Sequence, residues 1–456
     1  MKKIVKLTAL FLTLAVTVAA LGGCIIKHDT TGSGKVIETE LHLAVPFDSE
    51  SPLWANFETM LKDYMEYYKS DSNTLKFRIS RVPEPGTDDY KAFVKNVAAG
   101  KVDLFVSPAC EEIDQLIEDK KIASLKIMTA KDSAITSSLI PTYKRLTRAY
   151  DGASYMVPVL GTFQGLFYNK DVFETAQVPV PTDWASLQAA IPALKEKGVT
   201  PFAAGFADGA GYWLDEMILA EGGRAEHAAL PAKGVINSWK RAVTDIKNFY
   251  NAGAFGANAL NATQADAVAQ FKSKSAAMIL ASTKDLGDVT DSNVVFMSFP
   301  SSSTGVKRAG DLIGSASYGI YINAKSLNEN VDDATSLSGV MYEFINDYYT
   351  GSDYYADFLS EDGKLPFNTG LAGDIENPLM KQCFTVVKSA QGADTPLAGK
   401  MLCYDRMETG LADVLTGAKS VNDYLSEVSE AEIEAQNAVK EQEKKSDKKD
   451  DDKKDK

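Results

Sequence analysis

Glu40-Leu-His-Leu-Ala-Val-Pro-Phe47 places Leu41, Leu43, Val45 and Phe47 at every second position, the period of a half-buried strand. Ser51-Pro52 then predicts a helix start, with serine as cap and proline at the first helical position. Leu53, Phe57, Leu61, Tyr64 and Tyr68 recur every three or four residues and give that helix one apolar face. Residues 75–82 read as a second strand, and a helix from about Asp88 stops at Gly100. Val102-Asp-Leu-Phe-Val106 is a buried-strand run. The order β-α-β-α-β predicts an α/β layered lobe.

Outward from this stretch the pattern continues in a second block after Tyr150. Residues 157–168 are strand-like, and Val178-Pro-Val-Pro-Thr-Asp-Trp184 leads into an amphipathic helix (Trp184, Leu187, Ile191, Leu194) stopped by Gly198. Residues 276–280, 294–299 and 318–322 read as further strands. Ser420-Val-Asn-Asp423 has capping-box form and opens a final helix. Residues 441–456 hold seven lysines and seven acids with no apolar side chain, and so predict a disordered, charged tail.

Lys2, Lys3 and Lys6 precede an apolar run over residues 7–21 that ends in Leu21-Gly22-Gly23-Cys24. A short positive start and a brief apolar stretch predict an export signal, residues 1–23, rather than a membrane span. Residues 27–35 are polar and Gly/Ser-bearing, and residues 24–39 are expected to form a flexible tether. Cys110, Cys383 and Cys403 are the other cysteines, an odd number for an exported chain, with Cys383–Cys403 one candidate bridge.

Of 456 residues 45% are hydrophobic and 24% charged, which excludes wholesale disorder and suits two or three domains. With 48 bases against 62 acids the formal net charge is −14, and no stretch supplies a basic face for nucleic acid. Loss of residues 1–23 removes three lysines and takes the net charge to −17. Only His28, His42 and His227 are available for a histidine-based metal site or triad, so none is expected.

Tyr155-Met-Val-Pro158, Phe167-Tyr-Asn-Lys-Asp-Val-Phe173, Pro181-Thr-Asp-Trp184 and Gly198-Val-Thr-Pro201-Phe202 follow one another in an order that resembles the family 1 extracellular solute-binding proteins of ABC importers, the maltose-binding-protein-like group. Ala98-Ala-Gly-Lys-Val-Asp103, Phe271-Lys-Ser-Lys-Ser-Ala-Ala-Met278, residues 313–324 and Leu365-Pro366 extend the likeness, which spans roughly residues 40–435. Leu21-Gly-Gly-Cys24 resembles a bacterial lipobox, which implies lipid attachment at Cys24 and a place on the extracytoplasmic face of the membrane. The resemblance implies a two-lobed clamp of the type II periplasmic-binding-protein fold. Lobe 1 would comprise residues 40–158 plus 319–366, and lobe 2 residues 159–318 plus 367–440. Strands near residues 158–162 and 313–319, with a third crossing at 365–371, would form the hinge. Closure around a ligand would present the lobes to the transmembrane subunits of a permease. Neither a cofactor nor catalysis is implied.

Carried over position by position, the resemblance implies ligand contacts at Asp48, Ser49 and Glu50 after the first strand, Phe163 and Gln164 beyond the first hinge, and Tyr212 and Trp213. Tyr318 at the second hinge, Tyr404 and Arg406 are further candidates. The chain departs from the family where relatives carry tryptophan: it reads Ser282-Thr-Lys-Asp285 and, after residues 102–106, Ser107 followed by Glu111-Glu112. Glu111 and Lys284 are therefore candidates for a charged or amino-bearing ligand, or simply solvated rim residues. Trp184 and the Tyr168-Asn-Lys segment are expected to pack and turn the chain rather than bind. A carbohydrate, most simply an oligosaccharide, is the expected ligand, because aromatic faces stack on sugar C–H surfaces and polar groups take the hydroxyls. A receptor for a polyamine, phosphate ester or small anion is the alternative within the fold, and a two-carboxylate surface glycosidase the alternative outside it. A freely moving clamp is expected to be monomeric.

Overall fold

The computed structural model describes residues 36–454 except 52–53, 71–72, 131–138, 141, 143–145, 147–152, 232–233, 329, 350–362 and 370–374. The expected proline at the start of the first helix, the export signal, Cys24 and most of the tether lie outside the described residues.

In chain order the strands are β1 (Ile37–Val45), β2 (Asn73–Arg81), β3 (Leu104–Ser107), β4 (Val157–Asn169), β5 (Thr200–Ala203), β6 (Ala276–Ser282), β7 (Val294–Met297), β8 (Leu312–Ile322), β9 (Leu365–Pro366) and β10 (Ala393–Asp394). The helices are α1 (Trp54–Tyr68), α2 (Asp88–Ala98), α3 (Glu111–Glu118), α4 (Lys126–Ala130), α5 (Lys170–Ala176), α6 (Trp184–Glu196), α7 (Ala210–His227), α8 (Asn237–Asn251), α9 (Gln264–Lys272), α10 (Leu337–Glu343), α11 (Pro378–Ser389), α12 (Tyr404–Thr416) and α13 (Val421–Lys454).

One sheet runs through the molecule in the order β2-β1-β3-β8-β4-β6-β5, with β10 on β8 and both β7 and β9 on β4. At one end β1 lies parallel to β2 and β3. At the other, β5 is parallel to β6. Antiparallel β4 and β8 join the two blocks. The far end of β8 pairs with β3, Ser107 opposite Gly319, while its start pairs with β4 at Gln164–Ile313. The β4–β8 register shifts between Pro158 and Gly161, and there β9 adds a third strand, Leu160 opposite Pro366. A shifted register bends and twists a strand pair locally, as a crossing between two blocks requires.

Long apolar strands decide where the core sits. Residues of β6 are buried throughout, as befits a strand covered on both faces. One face of the second block packs α6, α7, α8 and α12 over Trp184, Phe202, Trp213, Trp239 and Phe249. The other face is shared by both blocks, from Leu43 and Phe57 through Phe163 to Phe296 and Phe384. Trp184 stacks on Phe249 with ring centroids 5.5 Å apart. Asn169 Oδ1 accepts from the Asp171 amide at 3.0 Å, so this asparagine caps α5.

Two departures from expectation concern the C-terminal third. Cys383 and Cys403 are both unbonded thiols, one on the buried face of α11 and the other at the cap of α12. Helix α13 continues to Lys454, through residues expected to be a disordered tail. That segment holds seven lysines, which are good helix formers, beside two glutamates and five aspartates, and carries no apolar stripe.

Candidate functional site

The strand pairings define where a ligand can lie. Strand β3, with β1 beside it, ends on β8 at Gly319, opposite Pro158 at the start of β4, and β6, antiparallel to β4, ends farther along that strand with Ser282 opposite Gln164. In open α/β sheets the space beyond the carboxyl ends of strands is the binding crevice, because loops and helix starts converge there.

On the first block, Asp48 follows β1. Its Oδ1 accepts from the Glu50 amide at 3.0 Å and its Oδ2 pairs with Arg81 at 3.1 Å. Ser49 and Glu50 are exposed beside it. Glu111 is exposed in the first turn of α3. Ser107, fully buried at the end of β3, shares a 2.8 Å hydrogen bond with the Tyr90 hydroxyl and so is committed to the core.

The second block contributes a denser group around the short 3-10 turn Thr283–Leu286 that follows β6. Half-buried Tyr212, in the first turn of α7, donates its hydroxyl to Asp285 Oδ2 at 2.8 Å. The same oxygen accepts from the Ser282 amide at 2.8 Å. Burial first, and then the Asp285 charge, pushes the Tyr212 phenol far up, so it is a permanent donor. Tyr404 donates to Glu408 Oε1 at 3.2 Å, and that oxygen also accepts from the Gly211 amide at 3.1 Å. Burial raises the Glu408 carboxyl, partly opposed by those two donors. A Cβ on Gly211 would fall 1.8 Å from the Tyr404 hydroxyl, so only glycine lets α12 approach the start of α7 this closely.

Gln164 sits on β4 opposite Ser282, half-buried, and its Oε1 is enclosed with no hydrogen-bond partner among the described residues. Such an acceptor is costly unless something supplies a donor. Half-buried Tyr318 pairs with Leu160 in the hinge, and Lys364 Nζ lies 5.4 Å from its ring centroid. Exposed Lys284 directly follows Thr283, whose hydroxyl accepts from the Phe163 amide at 3.2 Å.

Gln164, Tyr212 and Lys284 are thus brought to one turn, with Tyr404 tied in through Gly211; Tyr318 lies in the β4–β8 crossing, and Asp48, Ser49, Glu50 and Glu111 lie on the first block, after β1 and at the start of α3. Two expected contacts, Phe163 and Trp213, are placed in the core. Phe163 is 0% exposed and packs in the shared core. Trp213 is 2% exposed, with Phe255 at 4.7 Å and Phe202 at 5.0 Å between ring centroids, so its indole serves the lobe core. Arg406 is exposed in the first turn of α12, between Tyr404 and Glu408. Arg81, Asp285, Glu408 and Lys364 escaped the sequence reading, since single charged residues in loops and helix turns carry no periodic signal. Two surface concavities, of about 320 Å³ beside Lys62 and Lys69 and about 300 Å³ beside Asn258 and Gln270, contain none of these residues. Among the described residues no group of three His, Cys, Asp or Glu is placed to hold a metal ion, and no helix is long and apolar enough to cross a membrane.

Two blocks on one sheet, crossed by antiparallel strands with a crevice at the strand ends, define a solute-binding clamp. The chain matches the family model of the bacterial extracellular solute-binding proteins over residues 59–382 and belongs to that family. The fold is the two-lobed type II architecture of such proteins. Similar solved structures include a bacterial solute receptor, AcbH, described as exclusive for β-D-galactopyranose (15% identity, TM-score 0.67, 88% of this chain and 98% of that one). A probable secreted solute-binding lipoprotein from Streptomyces coelicolor is similar at 16% identity and TM-score 0.66, over 85% of this chain and 98% of that one. A chitin oligosaccharide binding protein is similar at 20% identity and TM-score 0.59, over 88% and 99%. No curated protein matches the chain by sequence.

Proposed function

We propose that this chain is the receptor of an ABC importer for a carbohydrate, most simply an oligosaccharide, held at the membrane by lipid on Cys24 and passing its ligand to the permease by lobe closure. It acts by reversible binding and needs neither cofactor nor catalytic residue. The observation that carries this is the enclosed Gln164 Oε1, without a partner among the described residues, next to the turn that holds Tyr212. A hydroxyl-rich ligand supplies the donor that Gln164 lacks, and aromatic faces suit its C–H surfaces. Several structural neighbours are described as sugar receptors, which fits the same ligand class.

The test is thermal unfolding of the chain from Ile25 onward, against neutral and charged oligosaccharides with polyamines and small anions alongside. A ligand at 100 times its Kd stabilises the fold by about 2.7 kcal/mol, a shift of a few degrees for a chain of this size. Stabilisation by sugars, with the sugar recovered intact, supports the receptor. Stabilisation by polyamines or anions alone replaces the ligand class, and cleaved sugar replaces binding with hydrolysis. Fractionation of cells expressing Cys24→Ala tests the anchor: the variant is expected in the soluble fraction.

A further inference from the structure

Helix α12 starts without a cap of its own. Its N-cap residue, Cys403, makes no side-chain cap hydrogen bond. The third helical position, from which a glutamate could reach back to the cap amide, holds Arg406, which has no acceptor. The acceptor comes from another helix instead. Glu432 of α13 is 0% exposed; its Oε2 accepts from the Cys403 amide at 3.0 Å and its Oε1 from Gln436 Nε2 at 2.9 Å. The Cys403 thiol, pushed up to about 11 by burial first and then by Glu432, stays protonated and donates to the Val428 carbonyl at 3.5 Å. One turn along, the buried Tyr424 hydroxyl donates to the Met407 carbonyl, and a Cβ on Gly410 would lie 2.9 Å from the Tyr424 ring. Helix α13 therefore grips α12 at its start and along its first turns.

Those turns carry side chains of the candidate site. Half-buried Tyr404 follows Cys403 directly, and both its hydroxyl and the Gly211 amide at the start of α7 donate to Glu408 Oε1. An enclosed carboxylate such as Glu432 is costly, and packing alone would be served as well by an apolar side chain of its size. A fixed acceptor adds something that packing does not. It sets the height and rotation of α12, and these decide where the Tyr404 hydroxyl and the Glu408 carboxylate stand against α7.

We infer that Glu432 is a positioning residue for the ligand site: from α13 it fixes the start of α12 and through it holds Tyr404 and Glu408 in place. This rests on the receptor assignment above, with Tyr404 facing the ligand. The test has a ligand-free and a liganded arm, both on the chain from Ile25 onward. In hydrogen exchange read by mass spectrometry, Glu432→Met keeps the bulk and removes the acceptor. It is expected to speed exchange of the Gly211 amide roughly fivefold or more, with the amides of β1 and α8 unchanged. Glu432→Gln, whose amide oxygen still accepts from Cys403, is expected to restore the parent's rate, and Gln436→Leu, which loosens Glu432 without removing it, to give the change in smaller measure. In titration calorimetry with chitotriose, xylotriose and galactotriose, Glu432→Met is expected to weaken whichever sugar the parent binds by roughly fivefold or more, and to add no further loss in a Tyr404→Phe background. Exchange at Gly211 unchanged in both Glu432→Met and Gln436→Leu, or raised equally in α8, reduces Glu432 to a structural residue and overturns the inference. Unaltered affinity for a sugar that the parent binds overturns it as well. Failure of all three sugars counts against the sugar reading, and the exchange arm then decides the role of Glu432 by itself.

Discussion

Trp213 and Gln164 show how burial separates two polar or aromatic residues that look alike as binding candidates. The Trp213 indole is enclosed by Phe202, Phe206, Phe249 and Phe255, so truncation leaves a hole in the lobe core. Trp213→Ala is expected to cost about 3–5 kcal/mol of stability, read from the urea midpoint of unfolding, with ligand affinity changed only as far as folding fails. Gln164 has the opposite profile, because its enclosed oxygen is unsatisfied without ligand. Gln164→Leu is expected to leave stability unchanged or slightly raised and to weaken sugar binding by about 1–3 kcal/mol in calorimetry. An affinity equal to the parent's would remove Gln164 from the site. Sequence alone could place both residues near the hinge and the start of α7, but not say which way either side chain turned. That choice depends on packing partners far away in the chain, such as Phe255 for Trp213 and Ser282 for Gln164.

At the scale of elements, α7 carries two buried electrostatic groups that the sequence pattern did not reveal. His227, fully buried at its end, lies 3.0 Å from Asp215 Oδ1 and 2.6 Å from Asp394 Oδ2, with Lys400 Nζ 2.8 Å from Asp394. Burial alone would lower the imidazole's pKa, but its bonds to Asp215 and Asp394 prevail over burial and Lys400 and hold it above its ordinary value. A histidine raised in the folded state stabilises it fully below about pH 6.5, and that contribution is lost as pH climbs through the folded value. Urea midpoints from about pH 6 to 9 should therefore fall for the parent and lose this component in His227→Gln. Nearby, Glu221 accepts from Arg241 at 2.6 Å, and Asp245, one turn along α8, is raised to about 6 by burial and by the Glu221 charge. A raised carboxyl destabilises the folded state above that value, so Asp245→Asn is expected to stabilise the protein at pH 7. The gain should vanish below about pH 4, where the carboxyl is protonated in both states. Helices α1, α2, α6 and α13 and most of the long strands were legible, since apolar periodicity reports a covered face directly, whereas α3, α7, α8, α9 and α11 were not read from the sequence. Strand β8 was legible only in part: residues 318–322 alternated clearly, while Leu312-Ile-Gly-Ser-Ala-Ser-Tyr318 gave no period because the strand crosses between two environments.

For the whole molecule, the family order of short motifs made the two-lobed fold readable before any coordinate, while the ligand's character depends on loops that carry no such order. Freely closing lobes lead us to expect a monomer with and without ligand in light scattering, and a radius of gyration that falls when a stabilising sugar is added. A dimer at micromolar concentration, or an unchanged radius, would argue against the clamp. The topology also bears on how the chain is born. Strand β3 finds its second neighbour, β8, only after roughly 200 further residues have emerged, and β4 receives β9 later still. Such distant pairings close slowly. The first block must therefore stay incomplete, with one strand edge open, until most of the polypeptide exists, a delay that keeps a chain destined for export threadable through a translocation pore.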